Sequence, residues 1–174
     1  MNTANKLTIL RIILIPVFLI VLYWGFPGAN WVALAIFIIA SLTDFADGYI
    51  ARHYDQVTDF GKFMDPLADK MLVMAAMCWF VQNGEMWGWV LALVLLREFA
   101  VSGMRLVAVE QGKVIAAAWS GKIKTASTMV CICLMLGLNI GWVDMLSQIV
   151  ILVTTLYSGV EYFVKNKSVF SNVK

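Results

Sequence analysis

The sequence predicts an all-α integral membrane protein, a single bundle of six transmembrane helices. Three observations carry that expectation. Hydrophobic residues make up 61% of the 174 residues and charged residues only 14%, against about 45–50% and about 25% in soluble chains; mean hydropathy is +0.83. Six apolar stretches approach the roughly 20 residues that cross a bilayer. Twelve of the 13 Lys and Arg residues fall on or near alternate connections and the chain ends, the asymmetry that sets orientation. A soluble domain of this size leaves too much surface in water to hide so much apolar area, which excludes a soluble enzyme, a disordered tail and a coiled coil. A net charge of +2 supplies no strong field for nucleic acid, so no nucleic-acid partner is expected.

The six stretches run over roughly 7–26, 31–52, 65–82, 86–109, 117–139 and 142–164. The first follows a basic start and ends at Gly25-Phe26-Pro27-Gly28; a secretory signal would share that start, but no convincing small-x-small cleavage site follows and the apolar run is long. The second closes on the polar connection from His53 to Phe60. The third ends at the short turn Asn83-Gly84-Glu85, the fourth at Gln111-Gly112-Lys113 and the fifth at Asn139-Ile140-Gly141. No repeat or low-complexity run divides the chain, so residues 1–174 read as one domain. Lys6, Arg11, Arg52, Lys62, Lys70, Arg105, Lys113, Lys122, Lys124, Lys165, Lys167 and Lys174 lie on or near one side, with Arg97 inside the fourth stretch. A multi-pass protein of the cytoplasmic membrane with both termini and the active site cytoplasmic is expected. Trp24, Trp31, Trp87, Trp89 and Trp142 gather near the opposite interface, as aromatic belts do. Cys78, Cys131 and Cys133 sit in apolar runs and read as filler rather than a disulfide or metal clip.

Ionisable residues inside membrane segments are costly and mark function. Asp44 and Asp47 close the second stretch, and at 100° per residue positions 44, 47, 48, 51 and 52 share one stripe. Asp65 and Asp69, four apart, share a face at the start of the third, with Gly61 one turn before. Two helices joined by a short connection are antiparallel neighbours, so the two acidic faces meet near the membrane surface. Four close carboxylates cannot all stay ionised without a counter-charge. Two Mg²⁺ ions cancel it, and a two-metal site clamps the attacking and leaving oxygens of a phosphoryl transfer. Gly48, Ala51 and Gly61 are small enough to let a ligand approach the backbone, and Arg52 suits a phosphate. Asp55 and Asp59 read as solvated loop charge, as does His53.

The pattern Asp44-x2-Asp47-Gly48-x2-Ala51-Arg52-x8-Gly61-x3-Asp65-x3-Asp69 resembles the signature of the CDP-alcohol phosphotransferase family at all eight fixed positions. The resemblance covers the whole chain and implies the six-helix fold of that family. It implies a donor linked to CDP, transfer of its phosphoryl-linked group to an alcohol, release of CMP, and usually a homodimer. Carried over, Asp44, Asp47 and Asp65 bind two divalent cations, Mg²⁺ or Mn²⁺, while Asp69 combines metal contact with activation of the acceptor hydroxyl as the catalytic base. Gly48, Ala51, Arg52 and Gly61 bind the cytidine and its phosphates; Thr8 and Arg11 of the entry segment are placed with them.

The motif leaves the acceptor open. Glu98, Ser102 and Arg105 share a stripe of the fourth helix, and Lys122, Lys124 and Thr125 open the fifth. Such cations suit an anionic alcohol. Arg97-Glu98 with Arg105, Gly121-Lys122-Ile123-Lys124-Thr125 and the opening Asn5-Lys6-Leu7-Thr8-Ile9-Leu10-Arg11 resemble the phosphatidylglycerophosphate synthase branch, although Ala4 replaces that branch's usual proline. The implied reaction joins CDP-diacylglycerol to sn-glycerol 3-phosphate, with Arg105, Lys122, Lys124 and Lys62 holding the acceptor phosphate. Inositol phosphate, serine or phosphatidylglycerol as acceptor is the nearest alternative. A divalent-cation transporter is a distant one, because the outer halves of the helices offer no continuous acidic path.

Overall fold

A computed structural model describes residues 3–53, 59–110, 112, 115 and 118–167, with the backbone alone described at 3–6, 44–53, 59–66 and 69. The described residues form six helices and no strand: α1 (Thr3–Trp24), α2 (Ala29–His53), α3 (Asp59–Gln82), α4 (Gly88–Glu110), α5 (Trp119–Leu138) and α6 (Gly141–Lys165). At 1.5 Å per residue each is about 30–38 Å long, the thickness of a hydrocarbon core. The chain alternates up and down, so both ends of the described chain and the 53/59 and 110/119 connections share one end. That is the basic end.

The six stretches expected from hydropathy resolve into two kinds. Leu7–Trp24 of α1, α5 and α6 are long and apolar enough to cross a membrane; the apolar parts of α2 and α3 are shorter, Ala29–Thr43 and Lys70–Gln82. Arg97, Glu98 and Arg105 interrupt α4. The third helix also begins six residues earlier than its apolar run, at Asp59 rather than 65. Polar residues are good helix formers where the chain leaves the hydrocarbon, so hydropathy underestimates such ends.

Packing divides the bundle along its length. α1 lies along α2 and α3, α6 along α5 and α4, and α2 meets α5. The main core takes Phe18, Leu22, Phe37, Met77, Phe80, Val90, Met135 and Ile151 from all six helices, all in the half away from the basic end. Phe18 and Phe37 meet with ring centroids 6.1 Å apart. Near the basic end the described apolar cluster is small: Val101, Met104, Ala108 and Tyr162. Large apolar side chains such as Ile20, Leu96, Phe99, Leu106 and Val153 face outward, as lipid-facing residues do. Trp24, Trp31, Trp87, Trp89 and Trp142 are exposed at the far end.

At the α2–α5 crossing a Cβ on Gly137 would lie 3.3 Å from Leu34 Cδ2, whereas one on Gly103 would meet nothing within 4 Å. Overpacking costs about 1–3 kcal/mol. Gly137→Leu should therefore lower the Tm in detergent by several degrees, at roughly 2–4 °C per kcal/mol, with Gly103→Leu leaving it unchanged. Equal Tm values for the two variants would argue against this crossing.

Candidate active site

The acidic motif occupies the basic end of two neighbouring helices. Asp44, Asp47, Gly48, Ala51 and Arg52 lie in the last turns of α2, and Gly61, Lys62, Asp65 and Asp69 in the first turns of α3; α2 and α3 pack against each other. The side chains of these residues, and that of His53, lie outside the described residues. As a donor set, four carboxylates on adjacent turns fit hard divalent cations, which take oxygen ligands. Among the described residues no group of three or more His, Cys, Asp or Glu gathers elsewhere.

One residue beyond Asp69, Lys70 begins a described network at the same end. Its ammonium donates to Ser102 Oγ at 2.6 Å and pairs with Glu98 Oε2 at 3.3 Å. Lys124 Nζ reaches Glu98 Oε1 at 2.7 Å, and Arg97 Nη1 reaches the same oxygen at 3.0 Å. Side chains from α3, α4 and α5 thus converge on one carboxylate. It is only 12% exposed, with Lys124 at 6% and Arg97 at 13%. Among the described residues three cations thus meet one carboxylate; Lys124, Arg97 and Glu98 are largely shielded from solvent while Lys70 is 40% exposed, and shielded charge is costly unless paired. Arg97 Nε is buried without a hydrogen-bond partner among the described residues.

Small residues make room for this cluster. A Cβ on Gly159 would approach Arg97 Cγ to 3.3 Å, and one on Gly121 would approach its Nη2 to 3.6 Å. Arg97 therefore runs where α5 and α6 both present glycine. Beside it, a cavity of about 60 Å³ is lined by Lys70, Val73, Met74, Glu98, Lys124, Thr125 and Thr128. The Thr125 and Thr128 hydroxyls donate to the carbonyls of Gly121 and Lys124, leaving their lone pairs toward other groups. Two ammonium groups at a small cavity suit an anionic tetrahedral group better than a neutral alcohol. A hollow of about 670 Å³ at the far end, lined by Tyr23, Trp31, Trp79, Asn83 and Asn139 among others, holds no charged residue.

The remaining expected residues are dispersed. Arg105 turns to α6, where its Nε donates to the buried Tyr162 hydroxyl at 2.9 Å and its guanidinium carbon lies 5.7 Å from the ring centre. Lys122 is exposed, 5.5 Å from the Trp119 ring centre; two residues along a helix, Lys124 points inward instead. The stripe of Glu98, Ser102 and Arg105 divides, its first two members facing Lys70 and its third facing Tyr162. Thr8 and Arg11 are both buried, one turn apart on α1. Lys70 and Arg97 were not among the expected site residues. Their signal was position: Lys70 directly follows Asp69, and Arg97 is a cation inside an apolar helix.

Removing one partner from a buried ionic cluster costs about 3–5 kcal/mol because the others stay charged. Glu98→Ala should lower the Tm by about 10 °C, and Glu98→Asp by less. A Tm for Glu98→Ala equal to that of the unaltered protein would show that the cluster does not hold α3, α4 and α5 together.

The CDP-alcohol phosphatidyltransferase family model matches residues 1–157. The chain is similar to a CDP-diacylglycerol--glycerol-3-phosphate 3-phosphatidyltransferase of Bacillus subtilis (strain 168), 41% identical over 95% of each chain. It is 40% identical to a probable phosphatidylglycerophosphate synthase of Mycobacterium tuberculosis (strain ATCC 25618 / H37Rv), covering 92% of this chain and 79% of that one. A 3-phosphatidyltransferase of the same name from Rickettsia bellii (strain RML369-C) is 35% identical over 97% of each. The chain belongs to the CDP-alcohol phosphatidyltransferase family.

Proposed function

We propose that this membrane protein transfers the phosphatidyl group of CDP-diacylglycerol to sn-glycerol 3-phosphate, giving phosphatidylglycerophosphate and CMP. The observation that carries the acceptor is the Lys70–Glu98–Lys124 cluster, in which cations outnumber carboxylates among the described residues, one residue from Asp69. The names of the relatives support the same reaction. Serine or free inositol brings no phosphomonoester to neutralise that excess.

In this reading Asp44, Asp47, Asp65 and Asp69 hold two divalent cations, Mg²⁺ or Mn²⁺. Cations held there supply charge neutralisation for the donor diphosphate and the departing CMP. Gly48, Ala51 and Gly61 let the donor lie close to the backbone, and Arg52, Thr8 and Arg11 secure the cytidine and its phosphates. Lys70 and Lys124 hold the acceptor phosphate as point charges, with Glu98 keeping the two ammonium groups in place. Arg105, Lys122 and Lys62 add positive charge toward the same end of the bundle, which draws in the anion. Asp69 accepts the proton of the 1-hydroxyl. The freed oxygen bonds to the phosphorus bearing diacylglycerol, and the bond from that phosphorus to CMP breaks. The lipid tails stay in the bilayer throughout. We place the site on the cytoplasmic face of the cell membrane, with both termini, and two such chains in a homodimer.

Purified protein given CDP-diacylglycerol, Mg²⁺ and labelled glycerol 3-phosphate should form a labelled lipid and CMP in equal amounts. EDTA should stop the reaction, and Mg²⁺ or Mn²⁺ should restore it. CMP release with serine or inositol phosphate alone would keep the donor chemistry and refute the acceptor. Asp69→Asn should abolish turnover. Lys124→Ala should raise the KM for glycerol 3-phosphate about 10–100-fold, the worth of one charged hydrogen bond, while leaving the KM for the lipid within about twofold. Equal effects on both substrates would contradict the pocket.

A further inference from the structure

The far end of the bundle carries two carboxylates that the transfer reaction does not use. Asp144 lies in the first turn of α6 and is only 6% exposed, and its Oδ1 is buried with no hydrogen-bond partner. Glu85, half-buried in the α3–α4 connection, lies within electrostatic range of it. Burial first, and then Asp144, hold the Glu85 carboxyl above its ordinary pKa, against a hydrogen bond with Asn83 that lowers it. The connection is held in place by Gln148, one turn beyond Asp144. Gln148 Oε1 accepts from the Trp87 amide at 2.9 Å, and its Nε2 donates to the Glu85 carbonyl at 3.2 Å.

Among the described residues no ion pair reaches either carboxylate. Residues 12–51, 71–96 and 125–164 contain no Lys, Arg or His, so the basic groups gather toward the other end, with Arg97 midway along α4. The N-terminus of α6 offsets part of the Asp144 charge; Glu85 has no such aid. A buried, unpartnered carboxylate oxygen one turn from the Gln148 side chain that holds the Glu85 backbone, with no cation of its own, is an arrangement completed from the medium.

We propose that Glu85 and Asp144 bind one divalent cation of the Ca²⁺ and Mg²⁺ class at the far end of the bundle. The cation bridges the α3–α4 connection to the start of α6, with water filling its remaining coordination positions. Two carboxylates neutralise its charge. So few protein ligands place the affinity in the range of about 0.1–1 mM, that of extracellular Ca²⁺ modules. The site ties together two segments that Gln148 already links.

The test uses the full chain in detergent with Asp44→Asn and Asp47→Asn introduced, so that the motif at the other end binds Ca²⁺ weakly. Ca²⁺ alone should raise its Tm by about 3–5 °C at a tenfold excess over Kd, and equilibrium dialysis with labelled Ca²⁺ should find one ion per chain. Adding Glu85→Gln or Asp144→Asn should abolish both effects. Glu85 lies in a connection, so its variant remains informative if Asp144→Asn fails to fold. An undiminished Ca²⁺ shift in the Glu85→Gln variant would overturn the proposal. So would a Tm that rises from pH 7.5 to pH 5 but ignores Ca²⁺ at pH 7.5, since the pair would then be neutralised by a proton.

Discussion

Glu98 is the point on which the polar half of this bundle turns. Its two oxygens receive Lys70 from α3, Lys124 from α5 and Arg97 from its own helix. A carboxylate in a membrane helix is tolerated only when paired, and here it is paired beyond neutrality. The same contacts that make Glu98 affordable in an apolar protein create a local excess of cations. In the proposed reading, structure and anion binding therefore have one origin. The cluster fastens three helices, and its cations are the groups that the proposal gives to the acceptor phosphate.

That arrangement explains the uneven distribution of packing. The half of the bundle away from the termini is held by interlocking apolar side chains, Phe18, Phe37, Met77 and Met135 among them. The described part of the basic half relies on ion pairs, the Arg105–Tyr162 hydrogen bond and a small apolar patch. An apolar core there would exclude the water-soluble acceptor. A membrane enzyme that joins a lipid to a soluble anion needs a rigid apolar scaffold and a polar end in contact with both phases. α3 connects the two halves: Asp65 and Asp69 lie in its early turns, Lys70 follows, and Met77 and Phe80 anchor its far end in the core.

Much of this was legible in the sequence because hydropathy and motif spacing are local properties. The six helices, their alternation and the acidic motif all follow from residues close in the chain. Contacts between distant residues were less legible. Spacing placed Lys122 beside Lys124, but only the packing of α5 sets Lys124 inward and Lys122 against Trp119. Spacing likewise grouped Arg105 with Glu98 and Ser102, whereas α3 claims the latter two and α6 claims Arg105. Lys70 read as an ordinary basic residue near a connection, because its value comes from a partner 28 positions away. The start of α3 was misplaced for a different reason: hydropathy reports where lipid is, and the helix continues beyond it.

The most direct measurement is binding of sn-glycerol 3-phosphate and of glycerol to the full chain without any lipid donor. The protein should bind the phosphate ester and ignore glycerol, and Lys70→Ala with Lys124→Ala should remove that binding. Undiminished affinity in the double variant, or equal affinity for glycerol, would contradict an acceptor site built on Glu98 and its cations.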